Sequence, residues 1–158
     1  MLKGKKILIT GGTGSLGRAL TKRLLNSEVD TVRIFSRNEN KQIEMESKFD
    51  DDRLRFFVGD IRDLNRLIKA VEDADIVFHA AALKHVPKIE YNPFEAIKTN
   101  VIGSQNVIDA CLHENVERGK PMVPTPITQI VSSRSSILFK VFLISCRYIS
   151  NSSLKKRS

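Results

Sequence analysis

Tryptophan is absent from this sequence, and tyrosine and cysteine occur only twice each in 158 residues. Cys111 and Cys146 supply neither a disulfide framework nor the clustered spacing of a metal site. A stapled secreted domain and a cysteine metal centre are therefore set aside. Cys111 lies in an apolar helical pattern, where a buried small residue is favoured over a reactive thiol. Long apolar runs are missing too. The N-terminal MLKGKKILITGG reaches glycine after four or five apolar residues, too few for a signal-peptide core. The segment ILFKVFLISCRYI, residues 137–149, is thirteen residues long and is broken by Lys140 and Arg147. A spanning helix needs about 20 residues, and an interfacial helix needs a consistent polar face that two charges do not make. No membrane partner is expected, and a reducing, cytoplasmic location is the default.

Acid is missing from residues 119–158, which carry seven Lys and Arg but no Asp or Glu. Residues 1–118 are balanced, with 19 basic and 18 acidic side chains. The formal net charge of +8 thus belongs almost wholly to the last forty residues, and the main body carries no electrostatic footprint for nucleic acid. The closing SLKKRS has no interleaved aromatic residue and reads as a solvated terminus rather than a single-strand binding patch. Residues 132–158 also hold nine serines against five in residues 1–118.

What is present has the composition of a soluble globular domain, 41% hydrophobic and 28% charged, and a length suited to one core. Four β-rich runs, Lys6–Thr10, Leu54–Gly59, Thr31–Ser36 and Asp75–Ala80, alternate with helical patterns. Helices are expected over Ser15–Asn26, Asn40–Phe49 and Asp63–Val71. A longer one should run from Pro93 to about Asn115, with Ile97, Val101, Ile102, Val107, Ile108 and Cys111 as its apolar stripe. Gly103 within it costs about 1 kcal/mol against alanine unless a close backbone approach requires it. The alternation predicts an α/β chain, a Rossmann-type doubly wound parallel sheet of about four strands. Residues 1–118 form its nucleotide-binding half, and 119–158 a divergent tail. The apolar part of that tail is expected either to pair as a substitute strand beside the fourth strand or to expose an aggregation-prone edge.

ITGGTGSLGRAL joins the first strand to the first helix, with Gly11, Gly14 and Gly17 spaced G-x-x-G-x-x-G. One glycine permits a tight turn, another a close approach to a pyrophosphate, a third close helix packing. The amides of the helix N-terminus would then face negative charge. A dinucleotide loop is favoured over a merely structural turn. At the end of the second strand, FSRNENK places Ser36 and Arg37, with Lys41 nearby, where an acidic residue would otherwise accept from a ribose 2′-hydroxyl. A guanidinium fork suits a 2′-phosphate, so NADP is expected over NAD. The alternative is a solvated arginine. In GDIRD, Asp60 either accepts from an adenine amino group or caps the next helix; the adenine role is preferred.

These pieces, followed by VFHAAALKHVPKIEYNPFEAIKTNVIGSQNVIDA, resemble the extended short-chain dehydrogenases/reductases. More narrowly, residues 4–118 are similar to the nucleotide-sugar 4,6-dehydratases and epimerases of capsular-polysaccharide biosynthesis, including the inverting UDP-N-acetylglucosamine 4,6-dehydratases. The resemblance implies a pyrophosphate contact at Thr13, Gly14, Ser15 and Leu16, and an adenine contact at Asp60 and Ile61. It implies a place beside the nicotinamide for Ala80, and a place near both cofactor and sugar nucleotide for Lys84, whose alternative is an exposed loop lysine. Asn100 resembles a helix asparagine that braces active-site backbone. His79 and His85 invite an acid–base role, but packing is preferred for His79 and a structural loop role for His85.

The chemistry implied by the resemblance is redox-assisted elimination. Hydride leaves sugar C4, water is lost across C5 and C6, and hydride returns at C6, with a general base and an acid/base pair assisting. The family's Ser/Thr-Thr-Asp-Lys segment, and its Tyr or Met followed four positions on by Lys, find no counterpart after the long helix here. No catalytic or metal-binding residue is therefore assigned. The pattern is lost at NVERGKP, where an interior strand should begin, and an interrupted reading frame or gene is expected there. The expectation is the cofactor-binding half of an NADP-dependent nucleotide-sugar 4,6-dehydratase or epimerase, inactive alone, taking a UDP-sugar if completed by a C-terminal half. The alternatives are a non-enzymatic NADP-binding sensor or interaction protein, and a half-enzyme complemented in trans. Oligomeric state is left open.

Overall fold

The computed structural model describes residues 2–83 and 90–114 and, as backbone, residues 142–144. Four strands form in the order the pattern predicts: β1 (Lys6–Thr10), β2 (Thr31–Ser36), β3 (Leu54–Val58) and β4 (Ile76–His79). They are parallel, with β1 between β2 and β4. The backbone of β5 (Phe142–Ile144) pairs antiparallel along β4, giving the order β3-β2-β1-β4-β5. Of the two outcomes open to the apolar tail segment, these three residues take the pairing one. The rest of 115–158 lies outside the described residues.

The strands are apolar on both faces because helices cover both. Ile7, Ile9, Val32, Ile34 and Phe78 point to one side and pack with Leu24 and Met45. Leu8, Phe35 and Val77 point to the other and pack with Leu67, Val71, Val107 and Cys111. Alternation along a strand thus feeds two cores rather than one core and solvent.

Helix α1 spans Ser15–Leu25, α2 Glu39–Phe49 and α3 Leu64–Val71, each within two residues of the pattern. Asn38 and Asp63 cap α2 and α3, accepting from the amides of Lys41 at 2.9 Å and Arg66 at 3.0 Å. At the N-terminal edge of the sheet, Asp75 accepts from the Lys6 amide at 2.8 Å and from Lys5 Nζ at 2.7 Å, fixing β4 beside β1. Burial works against the Asp75 charge, yet these donors and the nearby lysines hold its carboxyl below the usual range.

The long helix differs from expectation. It is three pieces: α4 (Pro93–Ile97), a π turn at Lys98–Ile102, and α5 (Gly103–His113). Its buried face keeps only Val107 and Cys111 of the predicted stripe. Ile97, Val101, Ile102 and Ile108 are exposed, while Ala96, Thr99, Gly103, Val107, Ala110 and Cys111 are buried. The reason is close approach, since small residues bring this helix near α3 and the loop after β3. A Cβ at Gly103 would lie 2.6 Å from Ile61 Cδ1, so it is a side chain, not a second backbone, that packs against this glycine. Among the described residues, no helix is long and apolar enough to cross a membrane.

Candidate functional site

A cavity of about 520 Å³ opens at the C-terminal ends of β1, β2 and β4, the position where open parallel sheets bind ligands. The loop after β1 forms its floor. Gly11 sits at φ +68°, and a Cβ there would lie 2.7 Å from the Ala81 backbone. Only glycine meets both demands. Gly17, on the first turn of α1, touches the Gly12 backbone so closely that a Cβ would lie 2.3 Å from its carbonyl oxygen. The loop is tied by Gly14 N–H donating to Gly11 O at 3.0 Å and by Arg18 Nε donating to Thr13 O at 3.1 Å.

The N-terminus of α1 is left open. Gly14 stands at the N-cap without a side-chain hydrogen bond, and no acid occupies the first turn. The first amides of this helix therefore keep unmatched donors and the positive end of the helix dipole at the cavity. Gly11, Thr13, Gly14, Ser15, Leu16 and Gly17 all line it.

The outer end of the cavity is charged and wet. Ser36, Arg37 and Lys41 line it with Asn38, which the sequence did not single out. Gln42 clamps this corner, its Nε2 donating to Ser36 Oγ at 2.9 Å and to Phe57 O at 3.0 Å. The hydroxyl hydrogen of Ser36 stays available for a ligand. Arg37, about half exposed, reaches to 3.8 Å from Asp60. Asp60 also accepts from the Arg62 amide at 3.0 Å and pairs with the Arg62 guanidinium at 2.7 Å. Burial opposes ionisation of Asp60, but the Arg62 hydrogen bonds and the charges of Arg62 and Arg37 hold its carboxyl below the ordinary range. Asp60 thus orders its own turn while lining the cavity; it does not cap the next helix, because Asp63 holds that position. Ile61 lines the cavity from within the core, and its carbonyl accepts from Asn106 at 3.0 Å.

The inner end carries no charge. Ala80, Ala81 and Ala82 line it, with Thr99 from the π turn. Thr99 is 4% exposed, and its Oγ1 has no hydrogen-bond partner among the described residues. A buried hydroxyl left so costs about 1–3 kcal/mol, and Thr99 carries it at the inner end of the cavity. Sequence reading missed Thr99, and its only signal there was a threonine on the face of a helix that otherwise buries small residues. Asn100 braces the neighbouring loop as expected, accepting from Leu83 N–H at 2.8 Å and donating to Leu83 O at 3.0 Å. His79 does not face the cavity; it is 6% exposed with both ring nitrogens hydrogen-bonded. Lys84 and His85 lie outside the described residues.

The sequence family described as "Polysaccharide biosynthesis protein" matches residues 7–121. The chain belongs to this family. It is 56% identical over 119 residues to the inverting UDP-N-acetylglucosamine 4,6-dehydratase of Campylobacter jejuni strain 81-176, covering 75% of this chain and 36% of that one. Among solved structures, it is similar to Pen from Bacillus thuringiensis, with TM-score 0.72 and 44% identity over 74% of this chain and 36% of that one. It is also similar to DesIV of Streptomyces venezuelae, a dTDP-glucose 4,6-dehydratase with NAD and TYD bound, with TM-score 0.62 and 28% identity over 70% of this chain and 37% of that one. The chain thus spans about a third of the length of these relatives, and the shared part is the Rossmann-like sheet and its glycine loop.

Proposed function

We propose that residues 2–114 bind a nicotinamide dinucleotide, NADP in preference to NAD, as the cofactor-holding part of a nucleotide-sugar 4,6-dehydratase or epimerase of polysaccharide biosynthesis. The observation that carries this reading is the uncapped N-terminus of α1 standing over a cavity floored by a glycine that no other residue can replace. The residues fit such a group along its length. The α1 amides and Ser15 would take the pyrophosphate. Arg37, Lys41 and Ser36 would take the ribose phosphate, and Asp60 with Ile61 would border the adenine. Ala80 and the orphan hydroxyl of Thr99 would meet the nicotinamide portion. A nicotinamide held there supplies a reversible hydride acceptor.

For this chain's own residues the chemistry is binding, orientation and exclusion of water. The 158 residues contain no Tyr or Met with Lys four positions on after α5, so we assign no acid–base step to them. The chain alone is expected to bind cofactor without turning over a UDP-sugar, and a cytoplasmic site of action fits a reaction on nucleotide sugars. Lys84 is a candidate for contact with both cofactor and sugar nucleotide.

The test is titration of the purified full chain with NADPH and with NADH. The nucleotide's own fluorescence serves as reporter, because the chain has no tryptophan. Saturable binding, tighter for NADPH, is expected. Absence of binding of either nucleotide at millimolar concentration would refute the assignment. Conversion of a UDP-sugar to its 4-keto-6-deoxy product by the pure chain would refute the division of labour.

A further inference from the structure

Behind the inner end of the cavity runs a chain of hydrogen bonds that no ligand contact accounts for. Thr10 Oγ1, on the last residue of β1, lies 2.6 Å from His79 Nδ1. His79 Nε2 lies 3.0 Å from Ser104 Oγ. Ser104 Oγ in turn donates to the carbonyl of Asn100, one turn back, at 2.7 Å. Asn100 ends the chain by pairing both its amide groups with the backbone of Leu83. Five elements are linked: the ends of β1 and β4, the first turn of α5, the π turn, and the segment 80–83 that closes the cavity.

The protons in this chain can be counted. A serine hydroxyl has one hydrogen, and Ser104 gives it to Asn100. Towards His79, Ser104 can only accept, so Nε2 must carry a hydrogen. A neutral imidazole has no second one, so Nδ1 is an acceptor and takes the hydrogen of Thr10 Oγ1. Burial pushes His79 down to about 4, which keeps the ring neutral near pH 7. The opposite tautomer would turn the Ser104 hydroxyl towards the ring and away from Asn100. The Asn100 carbonyl would then lose its hydrogen bond from the Ser104 hydroxyl, and the π turn its link through Ser104 to His79.

We propose that His79, in its neutral Nε2–H tautomer, is a positioning residue for the inner end of the cavity. Through Ser104 it fixes the π turn, and the π turn sets Thr99 against the cavity and Asn100 against Leu83. The ring touches no ligand itself. The inference deepens the dinucleotide reading and rests on it for its effect on binding, but the tautomer and its linkage do not depend on what the cavity holds.

The experiment uses the full chain labelled with nitrogen-15, which contains three histidines. Long-range proton–nitrogen spectra of the imidazoles near pH 7 distinguish both neutral tautomers and the charged ring, and H79Q assigns the His79 signals. The Nε2–H pattern is expected for His79, and S104A should move it towards a mixture of tautomers while S104T restores it. The same variants are titrated with NADPH. S104A should bind roughly three- to tenfold more weakly, with its melting temperature near that of the parent, and S104T should regain the affinity. An Nδ1–H or charged ring, or His79 signals indifferent to S104A, would overturn the proposal. So would unchanged NADPH affinity in S104A when the parent binds. If the parent binds neither NADPH nor NADH yet His79 shows the expected tautomer and responds to S104A, the dinucleotide reading fails and the linkage stands.

Discussion

The two ends of the cavity are built on opposite principles. At the outer end Arg37, Asp60 and Arg62 are charged, partly exposed and paired with one another. At the inner end Thr10, His79, Ser104 and Asn100 are uncharged, and their groups are joined by hydrogen bonds, with Thr99 left unmatched. Charge at an exposed strand end selects among ligands and can rearrange at little cost, since exposed ion pairs are worth about 0–1 kcal/mol. Thr10 and His79 are buried, so breaking the link between them strands a polar group away from water, and that part of the neutral network resists rearrangement. The outer end is therefore suited to discrimination and the inner end to geometry.

The largest way to break this contrast is to strike the floor that both ends share. Gly17→Val would drive a side chain into the Gly12 backbone. It should destabilise the fold by more than about 3 kcal/mol, visible as loss of cooperative melting, with loss of NADPH binding as well. Acid comes next. The folded-state value of His79, about 4, lies below its usual 6.5, so the unfolded chain binds more protons between these values. Stability should be complete above pH 6.5 and fall by about 3 kcal/mol as pH drops from 6.5 to 4. H79Q should flatten that slope in urea melts taken across the interval. The slope due to Asp75, whose carboxyl is held below 3.8, should appear only below about pH 4 and survive in H79Q.

Arg37→Ala sharpens the outer end. NADPH should weaken by about 1–3 kcal/mol if a charge-assisted contact is lost, and NADH should hardly change. Equal losses for both nucleotides, read by titration, would refute the phosphate assignment. Thr99→Val, the smallest change, tests the inner end by opposite signs. Removing an unmatched buried hydroxyl should raise the melting temperature slightly, by about 1 kcal/mol of stability or less, while weakening both nucleotides by a similar amount. A variant that is both less stable and unaltered in binding would show that the hydroxyl serves the fold instead.

The sequence made the outer end readable and the inner end nearly silent. Strand positions followed from apolar runs bounded by glycine, and the loop Gly11–Gly17 followed from its spacing, because a positive φ and a backbone contact leave few alternatives to glycine. Arg37 stood out because a charge at a strand end has few reasons to be there. The buried face of α4 and α5 was read correctly at Val107 and Cys111 and misread at Ile97, Val101, Ile102 and Ile108, because hydrophobic pattern reading favours Ile and Val, whereas close helix contact selected Ala96, Thr99, Gly103 and Ala110. Nothing in a single sequence marks a π turn. The partnership of Thr10, His79 and Ser104 joins residues up to 94 positions apart in chain number, and only the parallel pairing of β1 and β4 brings the first two together.

The turn at Lys98–Ile102 closes through the Gly103 amide and the Lys98 carbonyl, five residues apart, so this helix spends one residue more on that turn than an ordinary helix would. The surplus gives the stretch a spare unit of length. Deleting a single residue there could be absorbed by tightening to the common pitch, leaving the helix continuous. Its secondary-structure content would scarcely change, yet Thr99 and Asn100 would no longer share out their two directions. A spectrum of helix content would pass such a protein as intact, and only the shape of the chamber behind β4 would betray the missing residue.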